Sequence, residues 1–296
     1  MTDLTFLIAG GDLRQLYLAK LLSSDNKVYV IGFDLDIAQK YSDFLTNVTF
    51  LSTLNGLETS IDYVILPMPA TTDANYVITP LYDSKLQIDD LLYVVNNNTV
   101  ILGGKLSDAL LEKCKAKNIT IIDYLKREEL AVLNAVPTAE GALQIALEET
   151  PCTLFGQKVL VTGYGRISKV LSRLLRAFGA DVTVCARKYS DLAWININGY
   201  TSKSITDLDK CVSEFDIIFN TVPSLIFCKE ILNKLKQDCL LIDLASKPGG
   251  VDVNASKDLG VKTIWALSLP GKVAPLTSAQ IIHDTICNII SERGAT

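Results

Sequence analysis

Residues 156–191 read GQKVLVTGYGRISKVLSRLLRAFGADVTVCARKYSD, and this stretch decides the fold. The apolar run 159–161 predicts a buried strand that enters the turn 163–165, and apolar residues at helical spacing follow as far as Gly179. Such a glycine turn gives a pyrophosphate room to approach the backbone, and the N–H groups of the helix N-terminus meet its charge. The stretch predicts a dinucleotide-binding unit; the alternative is a parallel-sheet turn without a ligand.

The predicted cofactor site combines this turn with two further strand ends. The third glycine of the G-x-G-x-x-G pattern is Ser168, which we expect to push the helix slightly off the strand without abolishing phosphate binding. The segment 220–223 follows another predicted strand and is expected to line the nicotinamide ribose. The predicted cofactor-binding residues are Gly163, Tyr164, Gly165, Arg166, Ile167, Ser168, Arg187, Lys188, Ser190, Asn220, Thr221, Val222 and Pro223.

The end of the second predicted strand indicates which dinucleotide binds. NAD sites usually offer Asp or Glu to the ribose 2′-OH about 20 residues after the glycines. At 187 − 163 = 24 residues on, this chain has Arg187-Lys188, with Ser190 close behind. Two cations and a hydroxyl suit a 2′-phosphate, so we predict NADP, with NAD less favoured. The alternative is that both cations are solvent-exposed loop residues with no role in cofactor binding.

Composition limits the remaining classes of function. A length of 296 residues allows two domains, and 49% hydrophobic with 21% charged residues indicates a globular protein. The net charge of −5 argues against non-specific nucleic-acid binding. Seven cysteines without a C-x-x-C pair predict buried reduced thiols in the cytoplasm and no metal site. Without a basic leader or about 18 consecutive apolar residues, we predict neither export nor a membrane span.

The amino-terminal half repeats the alternation of strands and helices. Together the halves predict an α/β protein with two Rossmann-like, doubly wound parallel-sheet domains and an interdomain cleft. The first turn reads Gly10-Gly11-Asp12, where Asp12 puts a negative charge at the position of a pyrophosphate. Asp34 stands where a ribose-binding acid could lie, so a second dinucleotide site is the alternative to a substrate lobe.

We predict three segments along the chain. Residues 1–136 form the substrate lobe, joined by a C-terminal helix within 277–296; residues 137–150 form a connector helix; residues 151–276 form the NAD(P) domain. Thr138 is the expected N-cap of the connector. A loop is expected over 269–277, before a last helix over 278–290.

Four motifs carry a resemblance over essentially the whole chain. They are GGDLRQ at 10–15, PTAEGA at 137–142, DLASKPGGVD at 243–252 and LPGKVAP at 269–275. Together they resemble the dipicolinate synthase A-subunit family, whose cofactor domain is similar to that of D-isomer-specific 2-hydroxyacid dehydrogenases. Against those dehydrogenases, Lys272 stands in place of the histidine base, and Lys247 lies in the stretch whose arginine grips the substrate. The only histidine, His283, lies in the predicted last helix.

The resemblance implies NADP-linked oxidation of dihydrodipicolinate, formed from 4-hydroxy-tetrahydrodipicolinate, to dipicolinate during sporulation, on a branch of lysine biosynthesis. It also implies a flavoprotein-like dipicolinate synthase B subunit as partner in an oligomer, in the mother-cell cytoplasm. A substrate with two carboxylates needs cations. The predicted catalytic residues are Lys247 and Lys272, and the predicted substrate-binding residues are Arg14, Ser246, Thr277 and Ser278.

Three alternatives remain open from the sequence. The chain could be a stand-alone 2-hydroxyacid or amino-acid dehydrogenase, although the missing histidine base argues against this. It could also be a non-catalytic nucleotide-binding scaffold for the flavoprotein partner. Arg14 could pair with Asp12 or Asp34 and be structural.

Overall fold

The structure is a computed structural model that describes residues 2–57, 59–73 and 75–294. The chain divides into two compact units, one of Met1–Leu133 with Ala274–Thr296 and one of Asn134–Val273. We call them the N-terminal unit and the central unit.

Each unit is built on one six-stranded, all-parallel sheet, with strand orders β3-β2-β1-β4-β5-β6 and β12-β11-β10-β7-β8-β9. The strands of the N-terminal unit are β1 Thr5–Ala9, β2 Lys27–Ile31, β3 Val48–Leu51, β4 Tyr63–Ile65, β5 Val100–Gly103 and β6 Thr120–Asp123. Those of the central unit are β7 Lys158–Thr162, β8 Asp181–Ala186, β9 Thr201–Ser204, β10 Ile217–Asn220, β11 Leu240–Asp243 and β12 Lys262–Trp265. Both orders are those of a doubly wound Rossmann sheet, so the predicted fold class is confirmed.

Helices follow most of the strands, as crossover connections between parallel strands require. Chain order gives α1 Leu13–Leu22, α2 Leu35–Lys40, α3 Ile88–Val94, α4 Asp108–Ala116, α5 Glu128–Leu133, α6 Ala135–Glu149, α7 Arg166–Ala177, α8 Tyr189–Ile197, α9 Leu208–Cys211, α10 Lys229–Leu232, α11 Val253–Asp258, α12 Leu269–Val273 and α13 Pro275–Gly294. Short 3₁₀ helices lie at Leu54–Gly56, Tyr124–Lys126, Ile205–Asp207 and Val212–Glu214.

Both faces of each sheet are covered by apolar side chains. In β7, Val159 and Val161 point into one apolar cluster and Leu160 into another, because successive strand residues face opposite sides. In β1, Phe6 and Leu7 divide between two clusters in the same way. This explains why the strands read as continuous apolar runs and not as alternating patterns.

The helix boundaries correct three local predictions. Helix α6 begins at Ala135 with Asn134 as N-cap, and Thr138 is inside the helix, where its hydroxyl donates to the Asn134 carbonyl at 2.7 Å. The predicted loop 269–277 contains α12, and α13 begins at Pro275, before the predicted start. Pro270 and Pro275 fit these helices because the first turn of a helix has N–H groups without a partner within the helix, so a missing N–H costs nothing there.

The segment Glu128–Glu149 is long and apolar enough, by length and composition alone, to cross a membrane. Its larger part is α6, whose Ala139, Ala142 and Ala146 lie in the apolar cluster under the central sheet. This packing is typical of a core helix, and it accounts for the apolar composition.

The cysteines of the chain are all free thiols. Cys114, Cys185, Cys211 and Cys239 are buried, whereas Cys152 is exposed. Burial raises the pKa of Cys185 and of Cys239 to about 12, so these thiols stay protonated and unreactive at neutral pH. This agrees with the predicted buried reduced thiols for four of the seven residues.

Candidate functional site

The strand order of the central unit reverses at β7, which has β8 on one side and β10 on the other. Ligands of open α/β sheets bind at such a point, beyond the carboxyl ends of the strands. Gly163 follows β7 with φ of 90°, and a Cβ built there would lie 2.5 Å from Thr221 Oγ1. Thr221, which follows β10, donates its hydroxyl to the Thr162 carbonyl at 2.7 Å. Only glycine fits this turn.

The N-terminus of α7 has the features that a pyrophosphate needs. Gly165 is the N-cap residue, and no atom lies within 4 Å of a Cβ built on it, so the backbone is accessible. The first turn of α7 contains no acidic residue that would repel an anion. The positive end of the helix dipole therefore lies at an accessible glycine turn, and the turn fits a dinucleotide.

Ser168, which stands at the third glycine position of the pattern, is packed and hydrogen-bonded at the start of α7. The residue is fully buried, and its hydroxyl donates to the Gly163 carbonyl at 2.7 Å. Leu171 and Leu175 of the same helix are fully buried in the cluster that covers the sheet. The serine is accommodated and fastens the helix to the glycine turn.

Ser168→Ala is expected to lower the free energy of unfolding by about 1 kcal/mol, the usual net value of one hydrogen bond. Ser172→Ala is the matched control, because Ser172 is buried in the same helix and its hydroxyl has no hydrogen-bond partner in the described part of the chain. We expect Ser172→Ala to leave stability unchanged or to raise it. Chemical denaturation of both variants checks this, and equal losses would contradict the role of the Ser168 hydroxyl.

A pocket of about 420 Å³ lies beside the glycine turn, within the size range of small-molecule sites. We call it the nucleotide pocket. Its lining residues are Gly163, Tyr164, Cys185, Ala186, Arg187, Lys188, Asp191, Ile205, Val222, Ser224 and Ile226. The turn after β7 and the basic pair after β8, both predicted as cofactor sites, thus lie on one cavity. Ser190 and Pro223 are exposed residues next to lining positions, and Arg166 and Ile167 open α7.

The charges of the nucleotide pocket differ from those of an NAD site. Strand β8 ends at Ala186, and the exposed side chains of Arg187 and Lys188 follow, so no carboxylate stands at the strand end. Asp191, in the first turn of α8, adds one negative charge to the lining. The lining of the pocket therefore carries two cations and one carboxylate. The cations directly follow β8 in the chain, and the carboxylate comes later, in α8.

A buried polar network connects three strand ends and engages the side chain of Asn220. Its amide nitrogen donates to Asp243 Oδ1 at 2.7 Å and to the Val222 carbonyl at 3.0 Å, and its oxygen accepts from Thr162 Oγ1 at 2.6 Å and from Val222 N at 3.1 Å. All its donors are engaged and the residue is fully buried. The Asn220 side chain therefore positions the segment Thr221–Val222, which follows β10.

Asp243 is the central member of this network and was missed in the sequence. It is 2% exposed and accepts from Ala245 N at 3.0 Å and from Gly250 N at 2.8 Å, in addition to Asn220. A Cβ on Gly250 would collide with the Asn220 amide, so the loop closes tightly around the carboxylate. The sequence pattern that could have indicated this role is an aspartate at the end of an apolar strand, followed after five residues by the pair Gly249-Gly250.

The two predicted catalytic lysines follow neighbouring strands of the central sheet. Lys247 lies on the loop after β11, and Lys272 lies in α12, which follows β12. Lys247, Ser246 and Lys272 are all exposed. Helix α12 packs closely on α6, where a Cβ on Gly141 would lie 3.1 Å from Leu269 Cβ. The structure thus holds Lys272 on a packed helix and not on the loop that was predicted.

The substrate-binding residues predicted in the N-terminal unit are mostly engaged elsewhere. Arg14 is buried, and its guanidinium donates to Asp12 at 2.9 and 2.8 Å and to the Met68 carbonyl at 3.3 Å, which is the structural pairing left open by the sequence. Ser278 is buried and donates its hydroxyl to the Ala274 carbonyl at 2.9 Å, as helical serines often do. Thr277, in the first turn of α13, is exposed.

The first turn of the N-terminal unit is closed to a second dinucleotide. Gly10 N donates to the Ile31 carbonyl and Gly11 N to the Ile78 carbonyl, both at 2.8 Å. A Cβ on Gly10 would lie 2.7 Å from the Ile78 carbonyl oxygen, so the segment 77–79 covers this turn. Asp34 accepts from Asp83 N at 3.0 Å. The segment 77–79 that covers this turn therefore argues against a second dinucleotide site.

Within residues 2–57, 59–73 and 75–294, the side chain of His283 is engaged inside its own helix, and no group of side chains is suited to bind a metal ion. His283 is half-buried in α13, with Nδ1 2.9 Å from Asp284 Oδ1, and the hydrogen bond with the Cys287 thiol, followed by that with Asp284, raises its pKa to about 9. The ring is thus bonded within its own helix. Over the same ranges, no three His, Cys, Asp or Glu side chains form a group that could hold a metal ion.

Comparisons with known proteins agree with the two-part division of the motifs. Residues 5–125 match the family model described as the N-terminal domain of the dipicolinate synthase A subunit. Residues 138–252 match the model described as D-isomer specific 2-hydroxyacid dehydrogenase, NAD binding domain. A stretch of 104 residues is 34% identical to NADP-dependent alcohol dehydrogenase C 1 of Mycolicibacterium smegmatis, covering 34% of this chain and 30% of that protein.

Two relatives match over nearly the full length. The dipicolinate synthase A subunit of Bacillus subtilis is 32% identical over 99% of this chain and 97% of its own. The crystal structure of the dipicolinate synthase A subunit from Bacillus halodurans superposes with a TM-score of 0.88 at 30% identity, covering 97% of this chain and 98% of that one. The chain, with its NAD-binding dehydrogenase domain, belongs to the dipicolinate synthase A-subunit family.

Proposed function

We propose that this chain carries out the NADP-linked oxidation of dihydrodipicolinate, formed from 4-hydroxy-tetrahydrodipicolinate, to dipicolinate. The central unit is the cofactor domain, and the N-terminal unit is the substrate lobe. The flavoprotein-like B subunit is the partner, and the reaction takes place in the cytoplasm of a sporulating cell. The single observation that carries the proposal is a nucleotide pocket with a basic strand end, in a chain whose full length matches the dipicolinate synthase A subunit.

The choice of NADP is supported by the lining of the nucleotide pocket. Arg187 and Lys188 follow β8, where a carboxylate would contact an unphosphorylated ribose. An arginine fork and an ammonium group suit a 2′-phosphate, since charge-assisted hydrogen bonds to phosphate are strong. A relative that is 34% identical over 104 residues is named as NADP-dependent, which agrees with this choice.

The oxidation needs little acid or base assistance from the protein. The substrate ring loses two electrons and two hydrogens and becomes an aromatic pyridine, so the step is strongly favourable once the ring is positioned. When bound, NADP⁺ supplies the hydride acceptor. This explains how Lys272 can stand where hydroxyacid dehydrogenases have a histidine base.

The substrate's two carboxylates are the groups that the lysines would hold. Lys247 and Lys272 reach solvent after neighbouring strands of the same sheet, and each offers an ammonium group. Ser246 and Thr277 are exposed hydroxyls that could add donors. Arg14 remains a weaker candidate, because Asp12 already takes two of its guanidinium hydrogen bonds.

Turnover by the isolated chain tests the proposal. Dihydrodipicolinate and NADP⁺ are added with and without the flavoprotein-like partner, and absorbance is followed at the reduced-nicotinamide band. We expect reduction by the chain alone, faster with NADP⁺ than with NAD⁺. Activity with pyruvate-like substrates instead would indicate the stand-alone dehydrogenase. Nucleotide binding without reduction by this chain, with turnover only in the partner, would make it a scaffold and overturn the proposal.

Lys272→Glu is expected to raise KM for dihydrodipicolinate and to depress kcat, reducing kcat/KM by about 10²-fold. Reversing the charge removes a charge-assisted hydrogen bond to a carboxylate, worth about 1.5–3 kcal/mol, and adds a repulsion. Lys257→Glu is the control, because Lys257 is an exposed residue of α11 with the same charge change. Steady-state kinetics of both variants check the result, and unchanged constants for Lys272→Glu would remove Lys272 from the site.

A further inference from the structure

A second pocket of about 400 Å³ lies between α7 and α8 in the central unit, and the proposed reaction does not use it. We call it the α7–α8 pocket. Its lining residues are Tyr164, Lys169, Val170, Arg173, Trp194, Asn198 and Tyr200. Tyr164 is the one residue that also lines the nucleotide pocket, so the two cavities adjoin without coinciding.

The walls of the α7–α8 pocket are aromatic and held in place. Trp194 is 59% exposed, which is a large apolar surface to leave in water. The Tyr164 hydroxyl accepts from Asn198 Nδ2 at 3.0 Å. The Arg176 guanidinium lies 4.7 Å from the centre of the Tyr200 ring and also bonds to the Asn198 carbonyl. The two tyrosine rings are held in this way, and the exposed Trp194 ring beside them offers a flat surface for stacking.

The charged residues that line the α7–α8 pocket are both positive. Lys169 and Arg173 stand one turn apart on α7, and like charges at this spacing destabilise a helix by about 0.2–0.5 kcal/mol. No carboxylate lines the cavity, and within the described ranges neither cation forms an ion pair. Lys169 instead lies over the Tyr164 ring, 5.4 Å from its centre. An anion placed between the two cations would relieve their repulsion.

We propose that the α7–α8 pocket binds a small planar aromatic carboxylate, with its ring on Trp194 and its carboxylate between Lys169 and Arg173. The volume of about 400 Å³ leaves room for one such molecule. The aromatic walls require a ring, and the paired cations require a negative charge. Pyridine-2,6-dicarboxylate has both features and is the probe for the test.

Tryptophan fluorescence reports directly on this site. The chain has two tryptophans, so Trp265→Phe leaves Trp194 as the only indole. We expect pyridine-2,6-dicarboxylate to quench the Trp194 emission saturably. Arg173→Gln should raise the apparent Kd by about 10-fold, which corresponds to about 1.4 kcal/mol of binding free energy. Lys257→Gln is the control for a general loss of positive charge. Calorimetric titration of the chain with both tryptophans repeats the comparison should Trp265→Phe not fold.

Two further arms separate this site from the others. Benzoate should bind in the same way but more weakly, whereas inorganic phosphate should not quench at equal concentration, because the rings contribute as well as the cations. The double variant Lys247→Gln, Lys272→Gln removes the proposed substrate site and should leave quenching intact, so failure of the proposed reaction does not affect this result. Linear quenching without saturation, equal quenching by phosphate, or an Arg173→Gln variant with unchanged Kd would overturn the proposal.

Discussion

Arg187→Asp is expected to reverse the cofactor preference, weakening NADP⁺ binding by about 10²-fold while leaving NAD⁺ binding unchanged or slightly stronger. The substitution removes a charge-assisted hydrogen bond worth about 1.5–3 kcal/mol and puts a carboxylate near the 2′-phosphate. The same carboxylate could accept from the ribose 2′-OH of NAD⁺, which is how NAD sites use this position. Dissociation constants for both nucleotides, measured by calorimetry, give the ratio directly.

Two companion variants make the expected reversal specific. Lys257→Asp changes the net charge by the same amount on α11, away from the lining residues of the nucleotide pocket, and should alter neither constant appreciably. Arg187→Gln should weaken NADP⁺ binding alone and by less, because it removes the attraction without adding repulsion. If Arg187→Asp weakened both nucleotides equally, Arg187 would contact a part that they share, and the NADP assignment would lose its main support.

The fold was predictable because its signals are local. The strand, glycine turn and helix of 156–191 are consecutive in sequence, and the positive φ of Gly163 is a property of one residue. The helix boundaries near proline were harder to predict from the sequence. Pro137, Pro270 and Pro275 all lie in first turns, where a missing N–H has no cost, so these prolines accompany the starts of helices.

The buried network was not predictable, because its members are far apart in the chain. Thr162 and Asn220 are 58 residues apart, and Asn220 and Asp243 are 23 apart, although each pair is in hydrogen-bond contact. Pairing of parallel strands brings them together, and the pairing of β10 with β7 and with β11 is a property of the whole sheet. Arg14 differs, because its partner Asp12 is only two residues away and the pairing could be weighed in advance.

Asp243→Ala is expected to lower the free energy of unfolding of the central unit by about 3 kcal/mol or more. The change leaves the Asn220 amide and the N–H groups of Ala245 and Gly250 without their acceptor, and a buried donor without a partner costs about 1–3 kcal/mol. For a unit of this size, about 3 kcal/mol corresponds to a decrease in Tm on the order of 10 °C. Nucleotide affinity should fall as well, because Asn220 then no longer holds Val222 in the pocket lining.

Asp243→Asn separates hydrogen bonding from volume. It keeps the size of the side chain but turns one acceptor into a donor, which then opposes the Gly250 N–H or the Asn220 amide, so most of the loss should persist. Asp258→Ala is the control, because Asp258 lies at the end of α11, is not buried, and should change stability by less than about 0.5 kcal/mol. Calorimetric melting of the three variants decides: an Asp243→Ala transition that coincides with that of Asp258→Ala would show that the loop 244–250 keeps its conformation without the carboxylate.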